Sequence, residues 1–143
     1  MTAPALADWL GGARSFDAAP ATDQDLAEAV ERGLPAEAVD ALMERAGLTL
    51  AEIETLVIPR RTLTHRKRLR QRLSLDESDK LLRLARLLAF AEETFGSPEK
   101  AQRWLRKPNR ALGGAAPLQF ARTSQGARLV EEVLGRLAHG VFS

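Results

Sequence analysis

Between Thr22 and Leu137 the apolar positions recur at helical spacing, divided by residues that start and stop helices. Thr22 with Asp25 caps a helix running to about Arg32, ended by Gly33. Pro35 suits the first position of the next, which runs to Ala46 with Ala38, Val39, Leu42 and Met43 on one face and ends at Gly47. Thr49-Leu50-Ala51-Glu52 is a capping-box pattern for a third helix through about Val57, broken by Pro59. A fourth helix covers about Arg60 to Arg70. Ser74-Leu75-Asp76-Glu77 is a second capping box, opening a long helix to Phe95 that Gly96 ends. Ser97 caps a helix with Pro98 at its first position, stopping at Pro108. A Gly113-Gly114 turn, a short helical piece and a last helix from Ser124 to Leu137 follow, the last with Val130, Val133, Leu134 and Leu137 on one stripe. No segment alternates with period two, so the expected fold class is all-α. Residues 1–21 are rich in Ala, Gly and Pro, with Trp9, Leu10 and Phe16 isolated. They read as a flexible arm, the alternative being a short docking segment that uses Trp9.

The long helix is apolar almost all round, through Leu81, Leu82, Leu84, Ala85, Leu87, Leu88, Ala89, Phe90 and Ala91. Such a helix is buried on several sides. A central core helix is the first reading and a homodimer interface the second.

Composition narrows the chemistry. Apolar residues make up 45% of the 143, with Ala and Leu dominant and only seven aromatics. There is no Cys, which excludes disulfides, thiolate metal sites and a Cys nucleophile. His65 and His139 have no carboxylate at a metal-ligand spacing, and no Gly-rich phosphate loop follows a strand. The expectation is a protein that is not an enzyme and needs no cofactor or metal. Residues 1–20 lack the basic start and apolar core of a signal peptide. Leu81 to Ala91 is interrupted by Arg83 and Arg86 and is too short to span a bilayer. A cytoplasmic protein without membrane attachment is expected.

Charge changes the picture most. Net charge is +2, but residues 1–58 carry three Arg against eleven Asp/Glu, and residues 59–72 carry seven Lys/Arg and no acid. Local positive density of this kind is what phosphate binding uses. The capped third helix, the turn at Ile58-Pro59 and the basic fourth helix form a helix-turn-helix candidate. Leu63 and Leu69 are its expected inward anchors. Thr62, Thr64 and His65 are placed to touch base edges; Arg60, Arg61, Arg66, Lys67 and Arg68 to hold phosphates or read guanine. The competing reading is a solvated basic face that balances the acidic residues 1–58.

The C-terminal third carries a further ordered set of residues: Phe95-Gly96, Ala101, Trp104-Leu105, Pro108-Asn109, Ala111-Leu112-Gly113-Gly114, Pro117-Leu118, Thr123, Gly126, Val130, Leu134, Arg136 and Gly140-Val141-Phe142. Each has an ordinary structural use: Trp104 in packing, Asn109 closing a turn, the glycines admitting unusual backbone angles. Their joint order resembles the toxin-binding domain of the Xre/MbcA/ParS antitoxins, partners of RES-domain toxins. Pro59-Arg60-Arg61-Thr62-Leu63 with Leu73-Ser74 and Glu77-Ser78 is similar to the Xre-like helix-turn-helix region of that family, apart from the missing Gly in the turn. The resemblance implies a domain order of arm (1–21), helix-turn-helix region (22–75) and toxin-binding, dimerising domain (76–143). A helix-turn-helix protein commonly needs a two-fold partner to read two half-sites, so a homodimer is expected, and the resemblance implies that it binds operator DNA as an autoregulatory repressor. It also implies a cognate toxin that consumes NAD, as a glycohydrolase or phosphorylase or as an ADP-ribosyltransferase. Toxin contact is then expected at Arg136, His139, Gly140, Val141, Phe142 and Ser143, with Gly140 as a hinge and Phe142 and the end of the chain filling the toxin's cleft. The rival function is a stand-alone helix-turn-helix regulator that senses a small ligand, which calls for a pocket instead of a partner surface.

Overall fold

Each helix start read from a capping residue is present in the structure, a computed structural model that describes residues 1–140. Nine α-helices and two short 3-10 turns are found among the described residues, with no strand. The helices are α1 (Ala3–Trp9), α2 (Asp23–Arg32), α3 (Glu37–Ala46), α4 (Leu50–Leu56), α5 (Arg60–Arg68), α6 (Leu75–Phe95), α7 (Pro98–Arg106), α8 (Pro117–Phe120) and α9 (Ser124–Ala138). Thr22 and Thr49 close reciprocal capping boxes with Asp25 and Glu52, and Ser97 and Thr123 cap α7 and α9 through their side chains. Each cap satisfies amide groups that a helix start otherwise leaves unpaired.

The chain divides into two compact units, Met1–Arg86 and Leu87 onward, so the division falls within α6. In the first unit α1 packs on α2 and α3, α3 on α4, and α4 on α5. Its core includes Leu6, Leu10, Val39, Leu42, Ile53 and Ile58, all essentially inaccessible. In the second unit α7 packs on α8, and α8 on α9. Leu105, Pro117, Val130 and Leu134 form its centre. The apolar residues of α6 from Leu81 to Ala91 are buried within the single chain, except Phe90, which is half-buried. The core reading of this helix therefore accounts for its apolar circumference.

Residues 1–21 differ from the arm expected. Thr2 caps α1, accepting a hydrogen bond from the Ala5 amide, and Pro4 sits in the first turn. Ala3, Leu6, Ala7 and Leu10 then fall on one buried stripe. Trp9 is buried, and the Arg45 guanidinium of α3 lies over its ring, 4.2 Å from the centroid. The docking alternative built on Trp9 describes this segment.

Candidate functional site

The first candidate surface is built by α4, the turn Val57-Ile58-Pro59 and α5. Ile53, Leu56, Val57 and Ile58 are buried and fix the turn from inside, and Leu63 anchors α5. Nine residues give α5 a length of about 14 Å, suited to the ~12 Å width of a DNA major groove. Arg60, Arg61, Thr64, His65 and Arg68 line one shallow depression together with Glu54 of α4. All five α5 residues are exposed. Arg60 Nε lies 4.0 Å from Glu54 Oε1, and an Arg68 Nη lies 3.2 Å from His65 Nδ1. Arg61 has no ion pair among the described residues. Thr62 is half-buried, on the flank of this surface.

Three other residues of the basic run are placed differently from expectation. Arg66 turns away from the depression. Its Nε and one Nη donate to the two carboxylate oxygens of Glu77 at 3.1 and 3.2 Å. Lys67 Nζ is 2.8 Å from Asp40 Oδ1 on α3. Leu69 is no anchor: it is the C-cap of α5 and 50% exposed. The helix stops there because Arg70 adopts a left-handed backbone (φ 53). The Gln71 amide then donates to the Arg66 carbonyl at 2.8 Å and the Arg70 amide to that of Lys67 at 3.2 Å, the bonding of a Schellman stop.

The chain after α5 is stitched back to the first unit. Arg72 donates to the Gly33 carbonyl at 2.9 Å, and the Leu73 amide to that of Leu34 at 2.8 Å. The Leu34 amide donates in turn to the hydroxyl of Ser78, which is fully buried. Glu77 carries the electrostatic signature of this region. Partial burial pushes its pKa up, but hydrogen bonds from Arg66 and the Ser74 amide, with the Arg66 charge, outweigh that and leave it below the ordinary glutamate value. Glu77 was legible only as a cap. That its second oxygen would serve an arginine eleven residues earlier has no local signal.

The second candidate surface lies in the second unit. Between Pro108 and Ala116 the chain forms a closed loop. Asn109 Oδ1 accepts from the Ala111 amide at 2.9 Å, and the Asn109 amide donates to the Ala115 carbonyl at 3.0 Å. Gly113 and Gly114 take φ of 67 and 89, a region that favours glycine, and Leu112 is the buried anchor. Arg110 stands exposed on this loop, a residue that no local sequence signal marks out. Trp104 packs against Phe95 with ring centroids 5.4 Å apart. α9 buries Gly126, Ala127, Val130, Val133 and Leu134. Arg136 and His139 are exposed at its end, where a cation complements the helix dipole. Gly140 has φ 68 and donates to the Leu137 carbonyl at 3.2 Å, so it closes the helix and is not a free hinge. Val141, Phe142 and Ser143, the remaining expected toxin contacts, lie outside the described residues.

Among the described residues no group of His, Asp and Glu could hold a metal, and no helix is long and apolar enough to cross a membrane. The arrangement defines an all-α protein with a helix-turn-helix in its first unit and a separate small helical module in its second. Comparison with known proteins makes the class specific. Residues 25–86 match the antitoxin Xre-like helix-turn-helix domain, and residues 90–140 the antitoxin Xre/MbcA/ParS C-terminal toxin-binding domain. Over 120 residues the chain is 41% identical to a protein named Antitoxin Xre from Pseudomonas putida, covering 84% of this chain and 75% of the relative. An Antitoxin Xre from Yersinia enterocolitica is 33% identical over 120 residues, 82% of this chain and 81% of that one. A protein named Prs ADP-ribosylating antitoxin from a Sphingobium species is 33% identical over 82 residues, about half of each chain (51% and 52%). The chain belongs to the Xre antitoxin family.

Proposed function

We propose that this antitoxin neutralises an NAD-consuming RES-domain toxin through its second unit and represses its own operon through α5. The observation that carries the reading is the pairing, on one chain, of an exposed cation row on α5 with a matched toxin-binding domain at residues 90–140. Residues 22–75 serve DNA and residues 76–143 serve the toxin.

On the DNA side, Arg60, Arg61 and Arg68 supply phosphate contacts or guanine recognition, and Thr64 and His65 face base edges, with Thr62 at the flank. Reading two half-sites calls for a two-fold assembly, and we place a homodimer there. Its surface lies away from the apolar face of α6, which the single chain already buries. On the toxin side, the end of α9 presents Arg136 and His139, and the chain from Gly140 through Val141, Phe142 and Ser143 occupies the toxin's cleft. A cleft that accepts NAD offers positive groups for its pyrophosphate and an apolar slot for nicotinamide, and Phe142 suits the slot. Both functions belong to the cytoplasm.

The test uses the full chain with its cognate toxin. Charge reversal at Arg61 and Arg68 removes retention of the DNA upstream of the reading frame in a gel-shift assay. The same variant keeps cellular NAD at the toxin-free level on co-expression. Deleting residues 140–143 does the opposite. Loss of both activities in either variant contradicts two separable surfaces, and DNA binding without any toxin neutralisation by the wild-type chain favours a stand-alone regulator.

A further inference from the structure

We infer that Arg66 is a positioning residue that straps the DNA-facing helix α5 to the start of α6, and that it makes no contact with DNA. This rests on the reading of α5 as the DNA-contacting helix.

Arg66 sits amid seven Lys/Arg in fourteen residues, so charge alone makes it one phosphate contact among several. Geometry separates it from the others. All three guanidinium nitrogens donate within the chain: Nε to Glu77 Oε1 at 3.1 Å, Nη2 to Glu77 Oε2 at 3.2 Å and Nη1 to Gln71 Oε1 at 3.4 Å. The Arg66 side chain is 24% exposed and that of Glu77 13%, against 58% for Arg60. A phosphate would therefore have to displace a two-pronged carboxylate from a half-buried site.

The partner is itself held in place. Glu77 Oε1 accepts from the Ser74 amide at 2.8 Å while the Glu77 amide donates to Ser74 Oγ at 3.1 Å, the reciprocal bonding of a capping box. One carboxylate thus caps α6 and holds α5. Arg66 is also the residue whose carbonyl takes the Gln71 amide in the Schellman stop. Its backbone ends α5 and its side chain ties that end to α6. With Pro59 setting the start of α5, both ends of the helix have defined positions, and the lean of the Arg60–Arg61–Thr64–Arg68 face follows from them. Lys67 with Asp40 adds a weaker tie to α3, since both side chains are more than a third exposed.

Glu77→Gln decides between the two roles because they predict opposite signs. If Arg66 held phosphate, removing the acid that competes for it would tighten binding. As a strap, it loses its grip and binding weakens. Arg66→Lys gives the second discrimination: it keeps the charge that a phosphate needs but not the fork that Glu77 needs.

The experiment measures binding of the full chain to a duplex of the DNA upstream of its reading frame, by fluorescence anisotropy over a salt series. Glu77→Gln and Arg66→Lys are each expected to weaken binding by about tenfold, the order of one lost coupling in a supporting shell, with the salt slope unchanged. Arg61→Gln is expected to lower the slope by about one unit, as loss of a phosphate contact does. Glu54→Gln, which removes an acid from the depression without touching the strap, tightens binding. Binding by Glu77→Gln at or above the wild-type level, or wild-type affinity in Arg66→Lys, overturns the inference. Should the wild-type chain bind no such duplex, the reading of α5 has failed, and urea unfolding of both single variants and the double variant judges the strap alone. A double variant no less stable than the weaker single supports it, and additive midpoints overturn it.

Discussion

Two glycines on α9 give opposite answers to the same substitution. Alanine at Gly126 places a Cβ that overlaps the Phe120 carbonyl oxygen and lies 3.0 Å from both the Phe120 carbonyl carbon and Thr123 Oγ1. The obstacle is backbone, so no side-chain rotation relieves it. Thr123 Oγ1 is already held, accepting from the Gly126 amide at 3.0 Å as the N-cap of α9. Relief requires α9 to move away from the end of α8, which loosens the cap. Overpacking costs about 1–3 kcal/mol and a lost cap about 1 kcal/mol, against a gain of up to about 1 kcal/mol from better helix propensity. The net expectation for Gly126→Ala is a destabilisation of about 1–3 kcal/mol. At Gly135 the same methyl meets no atom within 4 Å. Gly135→Ala is therefore expected to stabilise by up to about 1 kcal/mol. Trp104 lies in the same unit as α9, so its fluorescence in a Trp9→Phe background follows urea unfolding of that unit. For a chain of this length 1 kcal/mol moves a thermal midpoint by about 3 °C. A Gly126→Ala protein as stable as wild type would refute the close approach of α9 to Phe120.

Three further outcomes follow from the first unit. Ser78→Ala leaves the buried Leu34 amide without its acceptor, and chemical denaturation should show a loss of about 1–3 kcal/mol. Trp9→Ala removes a buried ring together with its Arg45 contact; a loss of about 3–5 kcal/mol is expected, whereas a mobile arm would give none. Glu77 has a folded pKa below its ordinary 4.5, so its contribution is fully present above that value and is lost as pH falls through the lower, folded one. Denaturation across pH should show the stability gap between wild type and Glu77→Gln closing from about pH 4.5 downward.

Helix starts and stops were legible because their signals are local. Thr22, Thr49, Ser74 and Ser97 each bond an amide three residues on, and the sequence displays that spacing directly. The stripe Ala3, Leu6, Ala7 and Leu10 was also present, but its small residues and the prolines and glycines around it mask the periodicity until α2 and α3 supply a surface to pack on. At the candidate DNA-facing surface the cation content was visible and its division was not. Whether an arginine faces outward or reaches Glu77 or another acid depends on which helix the fold brings beside it. Arg66 and Arg68 are indistinguishable by composition, yet Arg66 reaches Glu77 eleven residues on while Arg68 stays beside His65 on its own helix. The helical module of the second unit was read from an ordered set of residues, and the geometry adds why that order is needed: Asn109 closes a loop, Leu112 anchors it, and Gly126 lets α9 approach the last residue of α8.

The proposed neutralisation is tested most directly by cellular NAD in a strain that expresses the proposed RES-domain toxin with and without this chain. With the chain co-expressed, NAD is expected to stay at the toxin-free level, and to fall as far as with toxin alone when residues 140–143 are deleted. NAD depletion in the presence of the intact, folded chain would show that the chain does not neutralise the toxin.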